Sequence, residues 1–256
     1  MLKSVLAAQL YTVRDFTQTL PEITKTLRKV ADIGYQAVQI SGFGPVDPKE
    51  VAKVVMDRGL VVCATHVHWD RFLTDLDAVI DEHMLWRCPH AAIGSLSEDY
   101  YDVNGLTRFL DELFPVAETL AKAGMDFSYH NHSHELVRCG NKTWLEMLYE
   151  QADPKHLKAE IDTYWIQHGG GEPAEWIRKC AGREPLLHLK DMAVTGAREQ
   201  RFSEVGEGNL NWPPILKAAA EGGVEWYIIE QDLCYGRDPF ESLALSLRNL
   251  KEMGLK

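Results

Sequence analysis

Four stretches carry side chains that could do chemistry together. Phe127-Ser128-Tyr129-His130-Asn131-His132-Ser133-His134-Glu135 is an apolar run that ends in imidazoles closed by a carboxylate. Leu157-Lys158-Ala159-Glu160-Ile161-Asp162, Leu186-Leu187-His188-Leu189-Lys190-Asp191 and Trp226-Tyr227-Ile228-Ile229-Glu230-Gln231-Asp232 repeat that plan of apolar run, then polar terminus. Side chains alternate along a strand. His130 with His132, Glu160 with Asp162, His188 with Lys190, and Glu230 with Asp232 therefore each share a face. One donor per strand, His130, Asp162, His188 and Glu230, makes a mixed imidazole and carboxylate set. Such a set suits one divalent ion (Mn, Co, Zn, Fe or Mg), with substrate or water in its open positions.

Any one of these residues alone is more often a cap or a hydrogen-bonded core group than a ligand. Four at corresponding strand ends favour a metal. Other polar residues have plainer readings beside the functional one. His134 reads as an exposed loop residue. Lys190-Asp191 is either a local ion pair or a substrate contact. Tyr164-Trp165 is core packing, or Trp165 walls a polar ligand. The stretch from Ser203 through Gly206-Glu207-Gly208-Asn209 is a turn or a backbone approach to ligand. His168-Gly169-Gly170-Gly171 is flexible loop, with a lid as the functional option.

The elements that must position these groups follow from periodicity and punctuation. Strands are predicted over 5–11, 37–40, 60–66, 91–94, 125–131, 157–162, 186–190 and 227–230. Helices are predicted from Thr19-Leu20-Pro21-Glu22, which has capping-box spacing, to Gly34; from Asp47-Pro48 to Gly59; over 76–87, 106–123, 143–151 and 173–180; over 212–221, with Pro213 and Pro214 interrupting its start; and from Asp238-Pro239 to about 253. Eight strands alternating with eight helices imply right-handed crossovers and a parallel sheet. In a chain of 256 residues this rhythm fits a single-domain (β/α)8 TIM barrel over 1–256. An open doubly wound sheet would place a glycine-rich turn after the first strand. Here that strand runs into Gln9-Leu10-Tyr11-Thr12-Val13-Arg14. Active sites of such barrels lie at the C-terminal ends of the strands. Gln9, Tyr11, Gln39 and His66 end the first three strands and are expected to face the same mouth.

Composition narrows the function. A net charge of -11 and a pI near 5.4 disfavour a nucleic-acid partner, which needs cationic phosphate contacts. The cysteines, Cys63, Cys88, Cys139, Cys180 and Cys234, are odd in number and lack a C-x-x-C pair, against both a disulfide framework and a thiolate zinc site. Reduced thiols point to a cytoplasmic protein. Met1 to Leu10 is too short and too soon polar for a signal peptide, and no apolar run is long enough to cross a membrane.

These segments together resemble the sugar phosphate isomerase/epimerase family of the xylose isomerase-like TIM barrel superfamily. The resemblance rests on Gln9-Leu10-Tyr11-Thr12-Val13-Arg14, on Tyr129-His130-Asn131-His132 with Glu135, and on Asp162-Thr163-Tyr164-Trp165. It rests further on His188-Leu189-Lys190-Asp191, Val205-Gly206-Glu207-Gly208 and Glu230-Gln231-Asp232. It implies a divalent metal held by strands five to eight. Related ketose 3-epimerases carry a Glu at the end of strand five, paired with the strand-eight Glu as the two acid/base groups. Here that position is His130, with His132 and Glu135 as alternatives for the ligand.

The expected activity is isomerisation or epimerisation of a sugar or keto-sugar through an enediolate. The metal would grip a carbonyl oxygen and its neighbouring hydroxyl and acidify the C–H between them. Glu135, His132 and Glu160 are candidate bases, with Glu230 a further one, and Lys190 would stabilise the enediolate oxygen. Gln9, Tyr11, His66 and Trp165 are candidate substrate contacts. The alternative is a lyase or dehydratase acting on a keto-sugar or keto-cyclitol at the same site. A repair endonuclease is disfavoured by the charge. A sugar-binding protein with a vestigial site is disfavoured by the intact ligand set. The partner expected is a small carbohydrate, with no membrane and no nucleic acid; a homo-oligomer is left open. No arginine cluster marks a phosphate pocket; Arg14 and Arg198 are the loop arginines to follow.

Overall fold

The computed structural model describes residues 5–256; the first four residues of the Met1 to Leu10 stretch, read above as no signal peptide, lie outside them. Eight strands close into a parallel barrel: β1 (Val5–Gln9), β2 (Ala37–Ile40), β3 (Val61–His66), β4 (His90–Ile93), β5 (Asp126–His130), β6 (Lys158–Asp162), β7 (Leu186–Leu189) and β8 (Trp226–Ile229). β1 pairs with both β2 and β8, so the sheet has no edge. The (β/α)8 reading is correct, and strand ends differ by one or two residues.

The helices are α1 (Leu20–Ile33), α2 (Pro48–Asp57), α3 (Trp69–Thr74), α4 (Leu76–Trp86), α5 (Val103–Lys122), α6 (Trp144–Gln151), α7 (Thr163–His168), α8 (Pro173–Lys179), α9 (Trp212–Gly222) and α10 (Pro239–Glu252). The Thr19/Glu22 capping box opens α1, and Gly34, left-handed at φ 111°, closes it. α5 starts three residues before the expected Leu106, because the Asp102 carboxylate accepts from Gly105 N at 2.7 Å. Pro213 and Pro214 do not interrupt α9. They sit in its first turn, where backbone N–H groups have no helical partner to lose.

Short elements without a strong period are the ones the sequence hides: α3, α7, and the antiparallel hairpins Arg138–Cys139 with Lys142–Thr143 and Asp191–Val194 with Gln200–Ser203. β1 stops at Gln9, whose side chain accepts from Tyr11 N and turns Leu10–Phe16 into a 3-10 helix. Tyr11 is therefore on that helix and not on a strand. The His168 to Gly171 stretch is the end of α7 and its closing turn, with Gly171 N bonded to Ile166 O. A β-carbon on Gly169 would lie 2.4 Å from Leu136, so this turn is packed down rather than hung over the mouth.

Two cores result. The larger lies between the barrel and its helices, around Leu27, Phe109, Tyr129, Trp144, Ile161 and Leu243. The smaller fills the lower barrel interior with Ala7, Ala37, Cys63, Ala64, Leu186 and Ile228. Two residues further along the same strands come Gln9, Gln39, His188 and Glu230. Strand alternation thus converts an apolar plug below into a polar floor above. Among the described residues no helix is long and apolar enough to cross a membrane.

Candidate metal centre and active site

On β3 the alternation is broken on purpose. Val38 pairs with Val62 but Gln39 pairs with Ala64, so Cys63 is an extra residue. Such a bulge re-aims the side chains beyond it. Cys63 and Ala64 both turn inward, Thr65 turns outward to bond His83 at 2.7 Å, and His66 turns inward.

His130, Asp162, His188 and Glu230 offer one ligand atom each within 4.8 Å of one another, all four buried. Register explains the convergence: Glu160 pairs with His130 and Asp162 with His188. Asn131 Oδ1 accepts from Asp162 N at 3.0 Å, and Thr163 Oγ1 donates to Lys190 O at 2.8 Å, locking the neighbouring strand ends together.

The two imidazoles are oriented alike. His130 Nδ1 donates to Gly94 O at 3.1 Å, and its Nε2 faces Asp162 Oδ2 at 3.3 Å. His188 Nε2 donates to Gln39 Oε1 at 2.6 Å, and its Nδ1 faces Glu230 Oε2 at 3.0 Å. Each outward nitrogen meets an acceptor, which places its proton there and turns the other nitrogen into the cluster. Metal-ligating histidines are held in this way. Two imidazoles and two carboxylates so arranged fit a divalent cation.

Lys190 supplies a cation of its own. Its Nζ lies 3.1 Å from Asp162 Oδ2, 2.8 Å from Glu230 Oε2 and 2.7 Å from Asp232 Oδ2, fully buried. Three carboxylates stand around the ammonium at ion-pair distance, and none meets it at hydrogen-bond geometry. Lys190 thus pairs across the barrel rather than with Asp191. Asp191 instead accepts from Met192 N, Gly206 N, Gly208 N, Leu210 N and Trp212 Nε1. The glycine loop between β7 and β8 is a wrap around that carboxylate. A β-carbon on Gly208 would stand 2.3 Å from Asp191 Oδ1.

Glu160 lies beneath the cluster, 2.7 Å from both His66 Nε2 and Gln39 Nε2, and 3.2 Å from His188 Nε2. Gln9 donates to Gln39 Oε1 at 2.8 Å and stands 3.5 Å from His66 Nδ1. Gln9 and Glu160 are thus an orienting layer, with no face on the cavity. Glu135 is also sealed, between Tyr129 Oη at 2.9 Å and His132 N at 2.8 Å. His134, exposed as expected, reaches it at 3.2 Å. His132 does face the cavity, and its Nδ1 has no partner among the described residues. Trp165 stands behind it, ring centres 5.0 Å apart, while Tyr164 is core. Tyr11 and His66 line the cavity. Asp232, unassigned at the outset, lines it too. Its i+2 spacing from Glu230 was the signal.

Electrostatics follow the packing. Burial alone would raise Glu160, Asp162 and Glu230. His188 and His66 outweigh it at Glu160, Lys190 and His130 at Asp162, and Lys190 and His188 at Glu230, so all three sit below the usual carboxylate range. Burial would lower His188 and Lys190, but Glu160 holds the first, and Asp162 and Glu230 the second, well above their ordinary values. Burial wins at His132, pushed well down with help from His130 and Lys190, and at Asp232, pushed up with help from Glu230. Burial also lowers His66 against the pull of Glu160.

Above the cluster opens a cavity of about 560 Å³. His130, His132, Glu230 and Asp232 form its inner end, and it runs over β2 and β3 to Arg71, Glu82 and Trp86.

Comparison with known proteins agrees with this fold. A protein from Parabacteroides distasonis, described as a sugar phosphate isomerase/epimerase, superposes with a TM-score of 0.83 at 25% identity, covering 100% of this chain and 96% of that one. An inosose dehydratase from Clostridium botulinum is 23% identical over 246 residues, 81% of each chain. Another, from Geobacillus thermodenitrificans, is 24% identical over 160 residues; there the match spans 56% of this chain and 53% of the relative, about half its length. The model of one family, described as xylose isomerase-like TIM barrel, matches residues 27–253. With the closed barrel and the polar floor at its strand ends, that match over most of the sequence places the chain in the xylose isomerase-like TIM barrel family.

Proposed function

We propose that this protein is an isomerase or epimerase of a sugar or keto-sugar, acting through an enediolate with one divalent ion held by His130, Asp162, His188 and Glu230. The observation that carries the reading is the convergence of those four donors, within 4.8 Å of one another, at the inner end of a cavity that His132 also lines. When bound, the ion would supply Lewis-acid polarisation of a carbonyl and its neighbouring hydroxyl.

The chain's own groups do the rest. His132 lines the cavity and burial holds it well below the ordinary imidazole range, so its ring is the group placed to take the proton from the carbon beside the carbonyl. Asp232, raised above the ordinary carboxylate range, is the group suited to hand a proton back. Lys190 fixes Glu230 and Asp232 relative to each other. Glu160 fixes His66 and His188. Positioned acid and base groups of this kind contribute roughly 10²–10⁴-fold each.

Dehydration is the second reading, favoured by the imidazole at the end of β5 in place of a second acid/base carboxylate and by the likeness to inosose dehydratases. Proton removal is the same step; loss of the β-hydroxyl as water, with a proton delivered to it, then replaces reprotonation at carbon. Incubation with keto-sugars and keto-cyclitols and MnCl2 in D2O tests both. Deuterium at the carbon next to the carbonyl, with no other mass change, supports the isomerase. Loss of one water supports the dehydratase. Neither change across the panel overturns both.

A further inference from the structure

The cavity is larger than the chemistry needs. A volume of about 560 Å³ is that of a site for a drug-sized ligand, well beyond one six-carbon ring and its hydroxyls. It is also divided by character. The inner end carries His66, His130, His132, Glu230 and Asp232, and the outer chamber is walled by Phe43, Val46, Val51, Val67 and Trp86, with the paired Arg71 and Glu82 at its far end.

The chamber is built, not incidental. The loop that supplies Phe43 and Val46 is pinned at its base: Gly44 N donates to Thr17 O at 3.0 Å, and Gln18 Nε2 donates to Gly42 O at 2.9 Å. A β-carbon on Gly44 would stand 2.1 Å from Gln18 O, so only glycine allows this seating. Trp86 Nε1 donates to Pro48 O at 3.1 Å. That satisfies the indole's polar atom and fixes the ring as an apolar wall.

Charge excludes one class of substrate. Arg71 is the only arginine or lysine among the described residues that line the cavity. Its guanidinium forms two 2.9 Å bonds to Glu82 and a longer one to Asp75. Arg14 is spent on the carbonyls of Tyr11 and Asp232. Among the described residues that line the cavity no unpaired Arg or Lys is left to receive a phosphate, and at the α2 N-terminus that borders it Pro48 has no N–H and Asp47 Oδ1 already accepts from Lys49 N at 2.9 Å.

We propose that the substrate is an unphosphorylated conjugate: a polyhydroxylated ring that bears a ketone at the metal centre and carries an apolar, planar aglycone that fills the outer chamber, as in an aryl glycoside with a ring ketone. This rests on the carbohydrate reading above and adds the second half of the molecule. Apolar surface on the aglycone is removed from water by the valines, Phe43 and Trp86, and this burial makes the conjugate bind more tightly than the bare sugar.

The test is a saturation-transfer NMR titration of the full chain with excess MgCl2, a diamagnetic ion, using methyl β-D-glucoside, phenyl β-D-glucoside, cellobiose and glucose 6-phosphate. Phenyl glucoside is expected to bind about tenfold or more tighter than methyl glucoside. Trp86→Ala and, independently, Phe43→Ala are expected to erase most of that preference, read as the ratio of the two affinities. Equal binding of the two glucosides, a preference that survives both substitutions, or tightest binding of cellobiose or of glucose 6-phosphate overturns the conjugate and leaves the carbohydrate reading standing. Binding of none of the four overturns the conjugate, while the keto-sugar panel in D2O decides the carbohydrate reading.

Discussion

Lys190 Nζ lies 2.8 Å from Glu230 Oε2, the same oxygen that faces His188 Nδ1 at 3.0 Å. A protein cation therefore competes for an atom assigned to a metal. Lys190→Met is expected to destabilise the metal-free protein by about 3–5 kcal/mol, because it strands buried carboxylates. The same change is expected to enlarge the rise in Tm on adding MnCl2. Thermal melts of both proteins with and without the ion measure this; an unchanged Mn²⁺ response would place the ion elsewhere.

One divalent ion per chain is expected in the purified, Mn²⁺-loaded protein. Asp162→Ala and His188→Ala are each expected to lose most of it, since each removes one of four donors. Elemental analysis after desalting checks the stoichiometry, independently of any activity.

His132→Gln and Glu135→Gln separate a proton carrier from its scaffold. The first is expected to lower kcat by roughly 10²–10⁴-fold with metal content unchanged. The second removes a charge held by Tyr129 and the His132 amide and is expected to stay within about tenfold of the parent. Comparable losses in both would return Glu135 to the reaction.

Glu184 gives a pH-dependence far from the site. It is buried with neither carboxylate oxygen partnered, and burial holds it well above the usual range, against a weaker opposing pull from the Ile161 amide. A folded-state pKa above the unfolded one means that stability is full at low pH and declines as pH rises toward the folded value. Glu184→Gln removes this titration. Its stability relative to the parent is expected to grow between pH 5 and pH 8.5, by at most about 1.4 kcal/mol per pH unit. Urea melts across that range check the slope; a constant difference would mean the carboxyl ionises alike in both states.

The barrel and the converging donors were legible because both follow from regular spacing. Alternation in β5 to β8 is enough to put His130, Asp162, His188 and Glu230 on one floor. The roles of Lys190, Asp191, Glu135 and Glu160 were not, because they depend on which neighbour is nearer. Lys190 prefers three carboxylates across the barrel to the one beside it in sequence, and Asp191 collects four donors from a loop further along the chain. The outer chamber was invisible as well. Its walls come from the turn after β2, the end of β3 and the side of α4, where no shared period links Phe43, Val67 and Trp86.

Cys63 is a thiol that no step requires, yet the bulge that absorbs it keeps His66 facing the pore. In a flat strand that kept all its residues, alternation from Val62 would send Ala64 and His66 toward the helices and Thr65 toward the pore. Deleting Cys63 removes the bulge and leaves Val62 out, Ala64 in, Thr65 out and His66 in, as they already stand. For anyone repurposing this scaffold, that point is where β3 can lose a residue and still offer the same side chains to the floor.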